Sequence, residues 1–131
     1  IGKAAKIKEG NTVSIITYGQ GVHWALDHLE KHPEISADLI DLRTLMPLDE
    51  EMIFDSVRKT GRALILQEDC LFGGISSDIS AMITENCFEA LDAPVKRVGS
   101  LDTPVPFAQI LEDGFLPANT WAKDLEDLLV Y

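Results

Sequence analysis

RALILQ, residues 62–67, carries four consecutive aliphatic side chains, so a strand made from it is apolar on both faces. Successive side chains of a strand point to opposite sides of its sheet. Such a strand therefore needs cover above and below, which it finds in the middle of a parallel sheet flanked by helices. The rest of the chain supplies suitable neighbours. TVSIITY (12–18), ADLIDL (37–42) and PVKRVG (94–99) read as further strands. Between them lie helical stripes: Val22, Ala25, Leu26 and Leu29 at i, i+3, i+4, i+7, then Ile75, Ile79, Met82 and Ile83, and finally Trp121, Leu125, Leu128 and Leu129. PLDEEMIFDSVRKTG has full helix punctuation. Asp49 is placed to cap it, Glu50 and Glu51 favour its positive end, Arg58 and Lys59 its negative end, and Gly61 can terminate it in the left-handed conformation.

AAKIK (4–8), the turn Glu9-Gly10-Asn11 and TVSIITY predict a hairpin that adds one antiparallel edge strand. TPVPF (103–107) is too proline-rich for a sheet interior and predicts a surface turn. Alternating strands and helices with right-handed crossovers give an α/β fold. The expectation is a three-layer α/β/α sandwich around a mostly parallel sheet of about five strands, one domain over residues 1–131.

With 22 acidic against 11 basic residues the formal net charge is −11, the wrong sign for a nucleic-acid backbone and the right one for a basic protein partner. Residues 101–131 hold Asp102, Glu112, Asp113, Asp124, Glu126 and Asp127 against Lys123 alone. No apolar run approaches the roughly 20 residues of a membrane-spanning helix, so no membrane contact is expected. IGKAAKIKEG lacks a secretory apolar segment, which predicts an intracellular protein. Since it starts without Met, the chain reads as a fragment. Cys70 and Cys87 read as reduced, buried thiols.

QEDCLFGGISSD (67–78) gathers two carboxylates, a thiol and a Gly-Gly turn where open α/β sheets bind ligands, beyond the carboxyl end of a central strand. A strand-to-helix connection needs small residues in any case, so Gly73-Gly74 has a structural explanation. YGQG (18–21) lacks the third glycine of a dinucleotide fingerprint and reads as a tight turn. His28 and His32 stand at i, i+4 without a third metal ligand or a glutamate base, and read as a solvated helix face. Ser76, Ser77 and Ser80 lack a G-x-S-x-G elbow and read as helix decoration. The residues alone reach a soluble acidic α/β domain without a catalytic constellation.

IDLRTLMPLDEE (40–51) resembles the third domain of transketolase-like thiamine-diphosphate enzymes, and so do TVSIITYGQGVHWAL, KTGRALILQEDCLFGG and LDAPVKRVGSLDTPVPF followed by ILEDGFLP. The last pair is most similar to the β subunit of 2-oxo acid dehydrogenase E1 components, of the pyruvate or the branched-chain type. The resemblance implies a parent enzyme that uses thiamine diphosphate and Mg²⁺ bound by its other domains, with none bound here and no catalytic residue in this chain. It implies as partners an E1 α subunit or domain, a second β subunit, and the small basic subunit-binding domain of E2. Asp92 and the carboxylate of Tyr131 become candidate E2 contacts, and Glu68, Gly73 and Gly74 a candidate interface loop. Lys96 departs from what a basic partner would prefer. A bacterial cytoplasm, or the mitochondrial matrix in a eukaryote, is the implied location. The alternatives are a standalone small-anion or nucleotide-binding module using YGQG and FGGISS, and the third domain of another transketolase-fold enzyme.

Overall fold

The computed structural model describes residues 1–131. Five strands, β1 (Ala5–Lys8), β2 (Val13–Thr17), β3 (Ala37–Asp41), β4 (Ala63–Cys70) and β5 (Lys96–Ser100), form one sheet in the order β1-β3-β2-β4-β5. Strands β3, β2, β4 and β5 run parallel, and β1 lies antiparallel at the edge. Helices α1 (Gln20–Lys31) and α5 (Trp121–Leu129) cover one face, and α2 (Glu50–Thr60) and α3 (Ile75–Cys87) the other.

The alternation along RALILQ produces the two cores. Leu64 and Leu66 pack with Leu29, Trp121 and Leu125, while Ala63 and Ile65 pack with Ile53, Val57, Ile79 and Ile83. All five residues of β2 are buried, as a central strand requires. Asp49 caps α2 by accepting from the Met52 amide at 3.4 Å, and Gly61 ends it at φ 73°. Five stripe residues are only half-buried: Val22 and Leu26 on α1, Ile75 and Met82 on α3, and Leu129 on α5.

The expected hairpin does not form. β1 pairs with β3 (Ala5 opposite Asp41) rather than with β2, so residues 9–12 cross the end of β3 instead of turning back. The reason is the buried Asp38 at the start of β3. Its carboxylate accepts from the Gly10 amide at 2.8 Å and from Ser56 Oγ at 2.7 Å, and pairs with Lys59 at 2.8 Å and Lys6 at 3.1 Å. A fully buried carboxylate is stable only when its oxygens are satisfied. Lys6 and Gly10 are thus held against β3, out of reach of β2. The antiparallel edge strand remains, beside a different neighbour.

An unforeseen short helix, α4 (Gln109–Phe115), follows the exposed TPVPF turn. Cys87 is buried and Cys70 half-buried, both as free thiols. No helix is long and apolar enough to cross a membrane.

Candidate functional site

The parallel strands deliver their carboxyl ends to one edge of the sheet, where most of the singled-out loop residues meet. β4 runs past its apolar half to Cys70, placing Glu68 and Asp69 at that edge, both exposed. The loop beyond is held by Gln67, which is fully buried. Its Nε2 donates to the Cys70 carbonyl at 2.6 Å, and its Oε1 accepts from the Ser76 amide at 2.9 Å. One side chain therefore ties the end of β4 to the first turn of α3. Gly74 sits against this staple, where a Cβ would overlap the Cys70 carbonyl oxygen and the Gln67 amide. Gly73 adopts φ +72°, which disfavours other residues for a different reason, with open space around it.

The 101–103 segment is laced to the same loop. The Phe72 amide donates to Asp102 Oδ1 at 2.9 Å, the Cys70 thiol to the Leu101 carbonyl at 3.0 Å, and Ser100 Oγ to the Glu68 carbonyl. Arg97 Nη1 donates to Ser77 Oγ at 2.8 Å and to the Leu71 carbonyl at 3.3 Å. Beside this lattice an open cavity of about 330 Å³ is lined by Tyr18, Val105, Phe115 and Leu116 together with Glu68, Asp69 and Glu112. Burial, then the charges of Asp69 and Glu68, push the Tyr18 phenol above its ordinary range.

The other chemistry-bearing side chains lie apart in the fold. The three histidines lie on α1 or just after it, Ser77 is engaged by Arg97, and no three His, Cys, Asp or Glu side chains converge on a metal position. What the edge presents instead is apolar. Phe72 and Phe107 are 89% and 104% exposed, and Leu101, Val105, Ile110 and Leu111 stand uncovered on the same segments. Leu101, Ile110 and Leu111 line one open hollow there, and a contiguous apolar surface of this kind is the usual mark of an interface. Sequence reasoning missed this apron. Its only signal was a run of apolar residues between 101 and 111 that fits no buried stripe.

Asp92 and Tyr131 lie at the opposite, amino-terminal end of β5, and the fold brings them together. Both line an open groove of about 730 Å³ whose apolar lining includes Phe88, Leu91, Pro94 and Val95. The Asp92 amide donates to the Gly61 carbonyl at 2.8 Å and its carboxylate leans over Gly61, so the C-cap of α2 fixes where this acid stands. An adjoining hollow adds Asp124 and Asp127. Lys96 lies there too, but its ammonium pairs with Asp124 Oδ1 at 2.8 Å, which offsets its charge toward a basic partner.

The His28–His32 pair is only partly a solvated face: the His32 side chain is 46% exposed, whereas His28 is half-buried. Their ring centroids are 4.4 Å apart, and His28 stands edge-on to Trp121 of α5 at 5.1 Å. His28 Nε2 is buried without a hydrogen-bond partner. The carboxyl end of α1 favours an imidazolium by roughly 0.3–1 kcal/mol. A buried charged N–H without an acceptor costs about 1–3 kcal/mol or more. Burial and then the neighbouring His32 accordingly depress the His28 pKa, against the opposing pull of Glu126 and Glu34.

Comparison with known proteins meets this geometry at several points. The chain is 44% identical over 119 residues to the 2-oxoisovalerate dehydrogenase subunit beta of Bacillus subtilis, covering 88% of this chain and 36% of that one. It is 47% identical over 132 aligned residues to the pyruvate dehydrogenase E1 component subunit beta of the same organism, covering 98% of this chain and 38% of the other. It is 42% identical over 119 residues to that organism's acetoin:2,6-dichlorophenolindophenol oxidoreductase subunit beta, covering 89% and 35%. The chain thus spans little more than a third of the length of these relatives. A solved structure titled as a split gene transketolase, inactive beta4 tetramer, superposes with a TM-score of 0.80 at 26% identity, covering 98% of this chain and 42% of that one. Residues 2–120 match the family described as transketolase, C-terminal domain, and with the five-stranded sheet of the same fold this chain belongs to that family.

Proposed function

We propose that this is the assembly and docking domain of the β subunit of a 2-oxo acid dehydrogenase E1 component. The apolar apron at the carboxyl edge carries the reading: Phe72, Leu101, Val105, Phe107, Ile110 and Leu111 are exposed on a domain whose two cores are otherwise closed. A surface of that kind marks a protein interface. The parent enzyme would decarboxylate a 2-oxo acid on thiamine diphosphate with Mg²⁺ and acylate the lipoyl group of E2. Pyruvate and branched-chain 2-oxo acids are the substrates to test first, since the relatives at 47% and 44% identity carry those names. The apron would meet the E1 α subunit or a second β subunit. Glu68, Gly73 and Gly74 would shape that contact from below. The location would be a bacterial cytoplasm, or the mitochondrial matrix in a eukaryote.

The acidic groove at the other end would receive the basic subunit-binding domain of E2, with Asp92 and Tyr131 as contacts. The cofactor would stay with the rest of the parent enzyme, because the acids at the carboxyl edge of this sheet are the wrong charge for a diphosphate. Calorimetry of the 131-residue chain with thiamine diphosphate and Mg²⁺ should then give no heat beyond dilution, and micromolar binding would reject this division of labour. The standalone anion-binding alternative has little support, since the charges of Asp69 and Glu68 bear on the turn at Tyr18 and the Ser76 amide already donates to Gln67 Oε1.

Two measurements on the assembled parent enzyme test the proposal. Phe107→Ser combined with Ile110→Ser should dissociate the oligomer in light scattering, and unchanged assembly would overturn the apron's role. In surface plasmon resonance, binding of the E2 module should weaken as salt rises, chiefly through the association rate, because exposed charges are screened over about 10 Å at 0.1 M. Asp92→Lys should weaken it more than Glu30→Lys on α1. Equal effects would reject the groove.

A further inference from the structure

His28 is a titratable side chain wedged between the body of the domain and the root of its last helix. It projects from α1, stacks at 4.4 Å on His32 and meets Trp121, the first residue of α5, at 5.1 Å. Trp121 is 2% exposed and belongs to the core that α1 and α5 share with the sheet. Any change in the charge of this imidazole is therefore felt at the root of α5. That helix in turn carries Asp124 and Asp127 and leads to Tyr131, all of which line the groove system beside β5.

We propose that His28 is a pH-sensitive clasp: neutral, it holds α5 against α1 through Trp121, and protonated, it loosens that contact and with it the acidic groove. This rests on the docking reading only in its last clause. A neutral imidazole can bury Nε2 as a bare lone pair, whereas an imidazolium must donate from both nitrogens. Nε2 has no acceptor within reach. The groups facing His28 divide between the two outcomes. On and just beyond α1, His32 and Lys31 oppose a second positive charge, while Glu34, which pairs with His32 Nδ1 at 3.0 Å, favours it. On α5, Glu126 favours it. From β1, Lys8 reaches the Leu29 carbonyl at 3.4 Å and adds a further cation near the end of α1. Burial and the neighbouring cations prevail, and the His28 pKa lies below its ordinary 6.5. The sign follows: the unfolded chain takes up this proton more readily than the folded one. The stability contributed by neutral His28 is complete above about pH 6.5 and is lost as the pH falls through the lower, folded-state value.

The test uses Trp121 as its reporter, in the 131-residue chain carrying Trp24→Phe. Between pH 8 and 4.5 its emission should follow a single titration with a midpoint below 6.5. His28→Leu should abolish that titration, and His32→Asn should move the midpoint upward by removing the nearest cation. A histidine-ring NMR titration of the unmodified chain serves as the second readout, with the Trp121 indole signal moving in step with His28. In the assembled parent enzyme, binding of the E2 module should weaken about tenfold between pH 7.5 and 5.5, within the usual range of coupling between sites. The His28→Leu enzyme should show no such change. A flat Trp121 response, or an identical one in His28→Leu, overturns the clasp. An E2 module that binds at neither pH overturns the docking reading instead, while the fluorescence and NMR titrations still decide the clasp.

Discussion

Gly74→Val should lower the melting temperature by roughly 10 °C, the counterpart of about 3 kcal/mol in a domain of this size. The cause is steric, since Gly74 has an ordinary φ of −81°. The added Cβ would have to displace the Cys70 carbonyl and the Gln67 amide, and Gln67 is the staple between β4 and α3. Two controls separate this from a general dislike of side chains in loops. Gly73→Ala adds its methyl to open space at φ +72°, so it should cost only about 1 kcal/mol of backbone strain. Gly114→Ala meets nothing within 4 Å inside α4, and should be neutral or stabilising by up to about 1 kcal/mol. In the assembled enzyme, Gly74→Val should lose oligomer or stability first. A variant with normal melting and assembly but no decarboxylation would place chemistry, rather than scaffolding, in this loop.

Asp38→Ala should be of similar severity. Removing one member of a buried ion pair costs about 3–5 kcal/mol, because the partners lose their counter-charge where water cannot fully replace it. Lys6 and Lys59 remain 30% and 33% exposed and can partly resolvate, which favours the lower end, about 3 kcal/mol. The Gly10 amide and Ser56 hydroxyl also lose their acceptor. β1, held to the sheet through Lys6 and Gly10, should fray first, visible as faster amide exchange over residues 5–8. Burial alone would raise the Asp38 pKa, but Lys59, the Gly10 amide, Ser56 and Lys6 together outweigh it and hold the carboxyl below 3.8. The contribution is thus present above about pH 4, near the unfolded value, and is lost as the pH falls through the folded one. Acid titration of wild type and Asp38→Asn should show their stability difference narrowing below pH 4. A constant gap would mean that Asp38 acts through packing rather than charge.

The features legible in the sequence were those carried by a local period. Ala63 to Leu66 announced a strand covered on both sides, and Asp49 and Gly61 marked the ends of α2, because capping depends on neighbours a few residues away. The hairpin error arose where a contact at long range overruled adjacency: Asp38 and Lys6 are distant in sequence, and nothing in AAKIK reveals that its partner is β3. Helix α4 escaped notice since seven largely exposed residues display no buried stripe. His28 looked solvated because its covering surface, Trp121, comes from the other end of the chain. Gln67 looked like the end of an apolar run. Its function as a staple exists only once the loop has folded around its amide. Asp92 and Tyr131 entered through resemblance, and their shared groove follows from α5 running back along β5.

The apron and the acidic groove stand at opposite ends of the parallel strands, and this arrangement has a mechanical side. An enzyme gripped at the apron and tethered at the groove would pull on this domain nearly along its strand axes. Force in that direction shears the inter-strand hydrogen bonds of β3, β2, β4 and β5 together, instead of opening them one after another. Under such a load the sheet that orders the two surfaces would also make the domain a stiff coupling between them.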